Sequence, residues 1–305
     1  MSQPYEITAR HWLMVLILGV TWGSSFLLIE LALPGIGPAW LAASRIVLAA
    51  ALMGVVQFFR RAPLFHSRPS RPALALLILL GLLNSALPFG FLTWGQQYVT
   101  SAFAGVSMSI VPLLVLPLAH LLVPGERMTL RRSIGFVIGF VGTVILVGGQ
   151  ALESSGAALE PWGRAACLGT ATCYAIGSIL LRRLPPFDPV NLAAILLVIG
   201  AIVMVPYAWI IEGPLPRLSG ETLFWVALLG LFHTAAANVL RVLVIRQAGP
   251  VFMSITNYIV PVCSVLMGWA ILSEPLPPSL IWALILILAG VGLSQYGALK
   301  RLFNR

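Results

Sequence analysis

The sequence has few charged residues: they make up 9% of its 305 positions, whereas 59% of the positions are hydrophobic. A soluble globular domain carries about 25% charged residues. Only nine residues are acidic, so the 18 basic residues leave a net charge of +9. With a mean hydropathy of +0.99, the chain cannot cover itself with a water-facing surface. Lipid is therefore expected to be its main solvent.

Cysteine is also rare. Cys167, Cys173 and Cys263 are the only three, and all lie inside apolar runs. An odd number of thiols in such positions indicates small apolar side chains rather than a disulfide framework. Nucleic acid is not an expected partner, because no soluble basic domain is present to bind it. The basic residues stand instead in short loops between apolar runs, which is a membrane topology signal.

Motifs of several function classes are missing. The chain has no G-x-x-x-x-G-K-[ST] phosphate-binding loop, which argues against an ATP-driven pump. It has no HExxH, no paired carboxylates and no G-x-S-x-G. A membrane-embedded enzyme is therefore disfavoured, and we expect no metal or cofactor. An open channel is disfavoured too, because rings of charge and filter-like loops are missing.

Continuous apolar runs of about 17–25 residues predict transmembrane helices, since about 20 residues cross the hydrocarbon core. Strands would need alternating polarity, which these runs do not show. The predicted fold is an all-α polytopic membrane protein of ten transmembrane helices. The predicted spans are 12–32, 38–59, 73–94, 100–122, 133–150, 162–181, 190–211, 222–244, 250–272 and 279–299.

The distribution of lysine and arginine predicts the orientation. With the N-terminus inside, 14 of the 18 basic residues fall on the inner side, and the outer loops hold only Arg164 and Arg217. Positive charge is enriched in cytoplasmic loops. Both termini are therefore expected in the cytoplasm, and the membrane is expected to be a bacterial inner membrane.

The chain also repeats itself. Residues 79–112 align without gaps on residues 228–261, with Ile110-Val111-Pro112 matching Ile259-Val260-Pro261. A repeat of five spans is odd in number, so the second copy must insert upside down. We therefore predict two inverted five-helix halves, residues 1–155 and 156–305. Inverted repeats are the construction of many secondary transporters, whose substrate site lies near the midplane between the halves.

Several residues resemble a known family. Trp22-Gly23-Ser24-Ser25-Phe26 is similar to the WGxxF start of the EamA family of the drug/metabolite transporter superfamily, and Arg45 matches an arginine typical of that family. Pro112 and Glu126, and Pro261 and Glu274, precede Gly-rich spans in the same way. The resemblance covers essentially the whole chain. It implies a ten-helix exporter of amino acids or related metabolites that works by alternating access, with a looser likeness to aromatic-amino-acid exporters. Leu196 stands near the place where a second-half partner of Arg45 would fall.

Polar and aromatic side chains at helical spacing mark the candidate cavity, because polar groups inside lipid tend to face a cavity or another helix. Asn84 and His233 occupy equivalent places in the two halves, and we predict that they face each other across the substrate path. The alternative is that each bonds a neighbouring helix. The predicted substrate-binding residues are Trp22, Ser25, Asn84, Phe89, Phe103, Tyr174, His233, Asn238, Asn257 and Tyr258.

Other intramembrane residues have structural interpretations. Pro112 and Pro261 remove intrahelical hydrogen bonds and are predicted hinges, with a static kink as the alternative. Arg45 is predicted to pair with Glu30, and contact with a substrate carboxylate is the alternative. Arg241 is placed near the inner face, where it can snorkel. Glycines in spans 5 and 10 predict close helix packing within the molecule, and a monomer or weak dimer is expected.

The sequence therefore predicts a secondary transporter that exports a small metabolite, such as an aromatic or other neutral amino acid. Every acidic residue lies at a span end or in a loop. We accordingly expect facilitated diffusion rather than coupling to an ion. The alternative is a proton-coupled exporter of drugs or other metabolites, with His233 as the only midplane proton carrier.

Overall fold

The computed structural model describes residues 7–61, 63–65, 69–99, 101–147, 156–185, 187–272 and 279–303. Within those ranges the chain is helical and forms no strand. The helices are α1 (Ala9–Ala32), α2 (Pro38–Arg60), α3 (Arg71–Gly81 and Leu87–Gly95), α4 (Ser101–Met108 and Val111–Leu122), α5 (Leu130–Val147), α6 (Glu160–Arg183), α7 (Pro189–Glu212), α8 (Gly220–Leu228 and Ala237–Ala248), α9 (Pro250–Ser254 and Thr256–Leu272), α10 (Leu280–Ser294) and α11 (Tyr296–Phe303).

Eight of these helical stretches, α1 to α4 and α6 to α9, are long and apolar enough to cross a membrane by length and composition. A shorter apolar stretch, Ile281–Ser294, lies in α10, and α5 coincides with the fifth predicted span. The all-α membrane fold predicted from the sequence is confirmed. The exact number of ten crossing helices stays a prediction.

Short polar residues cap the N-termini of several helices. Ser70 and Ser219 each accept a hydrogen bond from a backbone N–H of the first turn that follows. Asp188 accepts from the backbone N–H groups of Val190 and Asn191. Such caps satisfy backbone donors that have no partner inside the helix. These N-cap hydrogen bonds therefore help to determine the residues at which α3, α7 and α8 begin.

Two helices contain a π-helical segment at equivalent positions. Leu82–Ala86 joins the two parts of α3, and Leu229–Ala236 joins the two parts of α8. In α8 the Thr234 hydroxyl donates to the Leu229 carbonyl oxygen, five residues earlier, at 2.8 Å. π-Helical segments hold an extra residue in one turn and are frequent at functional sites. They place Asn84 and His233 in the middle of the bundle.

The main helix pairs are exchanged with one another when the first five helices are swapped with the last five, although in the described ranges α5 also packs on α4 and α9 without an equivalent contact of α10. Helix α1 packs on α9, and α6 packs on α4; α2 packs on α8, and α7 packs on α3. The pairs α2–α7 and α5–α10 map onto themselves. The proposal of two inverted halves, residues 1–155 and 156–305, accounts for this pattern.

Helices α2 and α7 are antiparallel and are joined at both ends. At one end the Arg60 guanidinium donates to both carboxylate oxygens of Asp188, at 2.8 and 3.0 Å. At the other end the Glu212 carboxylate accepts from the backbone N–H groups of Ala39 and Trp40, at 2.7 and 3.1 Å. An acidic side chain at a helix N-terminus satisfies free donors and complements the helix dipole. The two helices therefore form one unit that ties the halves together.

The Arg60–Asp188 pair predicts a pH-dependent stability. The Arg60 guanidinium lowers the pKa of Asp188 to about 2, whereas an unfolded aspartate has a pKa of about 3.9. The ion pair therefore stabilises the fold fully when the pH is above the pKa of Asp188 in the unfolded protein. This stabilisation is lost as the pH falls through the pKa of Asp188 in the folded protein. Asp188→Asn keeps the helix cap and is expected to lower the free energy of unfolding at pH 7 by about 0.5–1 kcal/mol, since the pair is partly exposed.

Thermal unfolding in detergent at a series of pH values checks this expectation. The difference between wild type and Asp188→Asn should shrink as the pH approaches about 2. The double variant that carries both Asp188→Asn and Arg60→Gln should have nearly the same stability as Asp188→Asn alone, because both changes remove the same ion pair. A difference between wild type and Asp188→Asn that stays constant with pH would contradict the assignment.

Candidate functional site

A cavity lies among helices of both halves. Its empty space is about 660 Å³, counting the part that is open to the outside. Helices α1 to α4 supply one part of its wall, and α6, α8 and α9 supply the rest. The lining residues are Trp22, Ser25, Phe26, Arg45, Phe89, Leu92, Met108, Val111, Tyr174, Ser178, Arg241, Met253, Ser254, Asn257 and Val260.

Half of the residues predicted to bind substrate line this cavity. They are Trp22, Ser25, Phe89, Tyr174 and Asn257. Their aromatic faces and short polar groups are the usual lining of a small-molecule site. Direct contact of each with a substrate remains a prediction.

Arg45 is the principal charged group on the α2 side of the cavity. Its side chain is 2% exposed. Its Nε donates to the Thr234 hydroxyl at 3.1 Å, and its guanidinium carbon lies 4.2 Å from the centre of the Phe89 ring. Its buried Nη1 has no hydrogen-bond partner within the described part of the chain. A charged side chain at the centre of a membrane costs about 2.5–3.5 kcal/mol on insertion scales, which makes Arg45 a candidate functional residue.

Arg241 is a second cavity arginine, and the sequence prediction of a snorkelling side chain is wrong for it. It is 4% exposed and lines the cavity. Its Nη2 donates to the Ser178 hydroxyl at 3.0 Å, and its guanidinium carbon lies 5.2 Å from the centre of the Tyr174 ring. The predicted α8 span ended at residue 244, whereas the helix continues to Ala248. That extra turn carries Arg241 away from the membrane surface.

The predicted ion pair between Glu30 and Arg45 does not form. Glu30 is exposed at the end of α1, whereas Arg45 is buried against α3 and α8. Across the described ranges, the ion pairs are Arg60–Asp188, Arg132–Glu126 and Arg164–Glu160. Among the described residues no acidic side chain lines the cavity, so in that part of the chain no carboxylate pairs with its two guanidinium groups.

Asn84 and His233 do not face each other. The Asn84 amide donates to the Leu80 carbonyl oxygen and is held against Gly177 of α6, where a Cβ would come within 2.6 Å of the amide oxygen. The His233 ring lies 2.8 Å from the Ser24 hydroxyl of α1 and 3.1 Å from the Leu228 carbonyl oxygen. Neither residue is part of the cavity wall. His233 therefore bonds a neighbouring helix, as in the alternative interpretation of the sequence, whereas Asn84 bonds within α3 and packs against α6.

Three other predicted site residues also lie outside the cavity wall. The Tyr258 hydroxyl donates to the Phe136 carbonyl oxygen at 2.7 Å, which joins α9 to α5. The Asn238 amide donates to the Thr234 carbonyl oxygen at 2.8 Å. The Phe103 ring lies 4.9 Å from the Arg164 guanidinium carbon, between α4 and α6. These contacts are interhelical or local.

The two predicted hinge prolines differ in their positions relative to the helix breaks. The break in α4 falls at Ser109 and Ile110, just before Pro112. In α9 the break falls at Ile255, and Pro261 lies inside the second helix, Thr256–Leu272. At these breaks the two helices touch, because the Ser109 hydroxyl donates to the Asn257 carbonyl oxygen at 3.2 Å. A hinge role for either proline stays a prediction.

Comparison with known proteins gives a consistent picture. The family model described as EamA-like transporter family matches the chain twice, at residues 10–148 and 161–295. The chain is 24% identical to the uncharacterized transporter YoaV of Bacillus subtilis over 93% of this chain and 97% of that protein. It is 29% identical to the uncharacterized inner membrane transporter YedA of Escherichia coli strain K12 over 84% of this chain and 81% of that protein.

Two further likenesses are more limited. A probable terminal-alkyne amino-acid exporter of Streptantibioticus cattleyicolor is 29% identical over 50% of each chain. A solved crystal structure matches with a TM-score of 0.77 at 19% identity, covering 96% of this chain and 99% of that chain. At that identity the structural match concerns the fold alone.

Apolar helices packed around an internal polar cavity, together with these relatives, define a multi-pass membrane transporter of small molecules. The chain belongs to the EamA-like transporter family, within the drug/metabolite transporter superfamily.

Proposed function

We propose that this protein exports small carboxylate-bearing metabolites of the amino-acid class across a bacterial inner membrane by alternating access. The observation that carries the proposal is the cavity between the two halves, whose described wall has Arg45, Arg241 and aromatic side chains but no acidic residue. A guanidinium group binds a carboxylate in a fixed geometry. One similar relative is named as a probable amino-acid exporter, which supports the class of substrate.

The proposed mechanism uses the symmetry of the bundle. Two inverted halves can rock about a central site so that the site opens to one side of the membrane at a time. Helices α2 and α7 are joined at one end by the Arg60–Asp188 ion pair and at the other end by the hydrogen bonds of Glu212. In this proposal the helix pair is the axis about which the two halves rock. In this proposal both termini face the cytoplasm.

Purified protein in proteoliposomes tests the proposed function. We expect uptake of at least one radiolabelled metabolite from a panel of aromatic, branched-chain, hydroxylated and acidic amino acids and simple carboxylates. In cells that overproduce the protein, the same metabolite should leave the cells faster than in cells with an empty vector. Absence of transport for the whole panel, with protein that stays folded after reconstitution, would refute the function.

Transport is expected to be facilitative. The part of the cavity wall that the structure describes holds no acidic side chain, and His233 is hydrogen-bonded between α1 and its own helix rather than facing the cavity. A protonophore should therefore leave the initial rate unchanged when the membrane potential is clamped with potassium and valinomycin. His233→Gln should show the same insensitivity to the protonophore. A rate that collapses only in the wild type would instead assign proton coupling to His233.

A further inference from the structure

The charge balance of the cavity narrows the proposed substrate class. Arg45 and Arg241 are both almost fully buried, and both belong to the same cavity wall. Membrane-embedded charges are normally neutralised by an opposite charge or by a bound ligand. Among the described wall residues, the other polar side chains are the neutral groups Trp22, Ser25, Tyr174, Ser178, Ser254 and Asn257. The described wall therefore carries two positive charges and no acidic side chain to balance them.

The hydrogen bonds around the two arginines leave donors free to bind a ligand. In the described chain, Arg45 uses only its Nε in a hydrogen bond, and its Nη1 has no partner. Arg241 uses only its Nη2, which donates to Ser178 and, at 3.5 Å, to the Tyr174 carbonyl oxygen. A guanidinium group has five N–H donors in a planar fork that matches a carboxylate. Each arginine can thus bind an acidic group without giving up its present contacts.

The two arginines lie on opposite sides of the midplane. Arg45 is seven residues after Pro38, where α2 begins, which places it about 10 Å from that end of the helix at 1.5 Å per residue. Arg241 is seven residues before Ala248, where α8 ends, again about 10 Å from the end. The end of α8 lies on the same face as the start of α1, since His11 and Gln247 are hydrogen-bonded at 3.2 Å, whereas α2 begins at the opposite face.

The space between the two arginines is suited to the carbon skeleton of a substrate. Trp22, Phe89 and Tyr174 supply aromatic surface there. The Phe89 ring already stacks on Arg45, and the Tyr174 ring lies beside Arg241. An ammonium group would enter a field of two positive charges with no carboxylate among the described wall residues to receive it. A neutral zwitterion is therefore a poorer match than an anion.

We propose that the transported molecule is a small dicarboxylate, with one acidic group bound by Arg45 and the other by Arg241. This inference rests on the proposed function and narrows its substrate from carboxylate-bearing metabolites to organic dianions. A dicarboxylate neutralises both arginines at once, whereas the single carboxylate of a neutral amino acid brings an ammonium group with it.

The test compares matched probes on purified protein. Binding of succinate, glutamate and glutamine is measured by isothermal titration calorimetry in detergent, and exchange of the same compounds is measured by counterflow in proteoliposomes. Glutamate and glutamine differ mainly in the charge of one group. We expect succinate to bind at least about tenfold more tightly than glutamine, a difference that one charge-assisted contact can supply. Glutamate should fall between the two.

Substitutions identify the residues that bind the acidic groups. Arg45→Gln and Arg241→Gln should each weaken succinate binding by at least about tenfold, and each should reduce the preference for glutamate over glutamine. Arg183→Gln removes the same charge at an exposed position at the end of α6 and should change neither. Size-exclusion profiles and thermal unfolding without ligand show whether each variant is folded. Arg45→Lys and Arg241→Lys keep the charge and serve as second variants, with partial retention of binding expected.

The outcomes separate this inference from the proposed function. Glutamine or phenylalanine carried as well as succinate would overturn the dicarboxylate assignment and leave the transporter function intact. Unchanged succinate binding in both folded glutamine variants would overturn the role of the arginines. If none of the compounds moved through folded, reconstituted protein, the transporter function would fall together with the inference.

Discussion

Replacing Gly290 by alanine is expected to push α10 away from α5 and to lower the stability of the bundle substantially. A Cβ at Gly290 would come within 2.5 Å of the Gly135 carbonyl oxygen and of the Gly139 backbone nitrogen. Both obstacles are main-chain atoms, which cannot rotate out of the way. Overpacking in well-packed cores costs about 1–3 kcal/mol and occasionally more. We expect a loss at the upper end of that range, measured by thermal unfolding in detergent.

Gly292 provides the matched control on the same helix. A Cβ there would meet nothing within 4 Å. Gly292→Ala should therefore be neutral or slightly stabilising, by up to about 1 kcal/mol, because alanine is the better helix former. If the two substitutions had equal effects, the close contact of α5 and α10 would not be what holds these helices together.

Replacing Asn257 by tryptophan is expected to abolish transport while leaving the fold intact. Asn257 lines the cavity and is partly exposed to it, so an indole would occupy space that the substrate needs. Its carbonyl oxygen, which accepts from Ser109, is a main-chain group and is kept in the variant. We expect the initial rate in proteoliposomes to fall more than about tenfold, which corresponds to a barrier raised by about 1.4 kcal/mol.

Leu266→Trp is the control for this experiment. Leu266 lies two and a half turns further along the same helix and is 39% exposed on the outer surface of the bundle. A tryptophan there should leave the rate close to that of the wild type. Active transport by a folded Asn257→Trp variant would mean that the substrate takes another route through the protein.

The membrane fold could be predicted from the sequence because it follows from composition and run length. An apolar run of about 20 residues has few alternatives in lipid, and the helix positions accordingly agree with the predicted spans to within a few residues. The pattern of helix pairs also fits the internal repeat, which was visible as an ungapped match between residues 79–112 and 228–261. Both signals are carried by many residues at once, so errors at single positions matter little.

The cavity was predicted less well because it depends on helix rotation and on exact helix ends. The predicted partner of Arg45 was Glu30 on the preceding helix, whereas its actual contacts come from Phe89 and Thr234 on other helices. Arg241 was assigned to the membrane surface because α8 was predicted to end four residues too early. The polar face that it shares with Thr234 and Asn238 was the signal that could have placed it inside. Asn84 and His233 were equivalent in the repeat, yet equivalence does not give the direction of a side chain.

The π-helical segment Leu229–Ala236 sets the rotational phase of everything that follows it in α8. One residue in a regular α-helix turns the chain by about 100°, so the extra residue in the wide turn swings the second part of α8 by roughly that angle. A regular α-helix formed by the same residues, without the wide turn, would therefore carry Arg241 off the cavity wall, although every side chain would remain chemically the same. The same reasoning applies to Leu82–Ala86 and to Phe89, which follows that segment in α3.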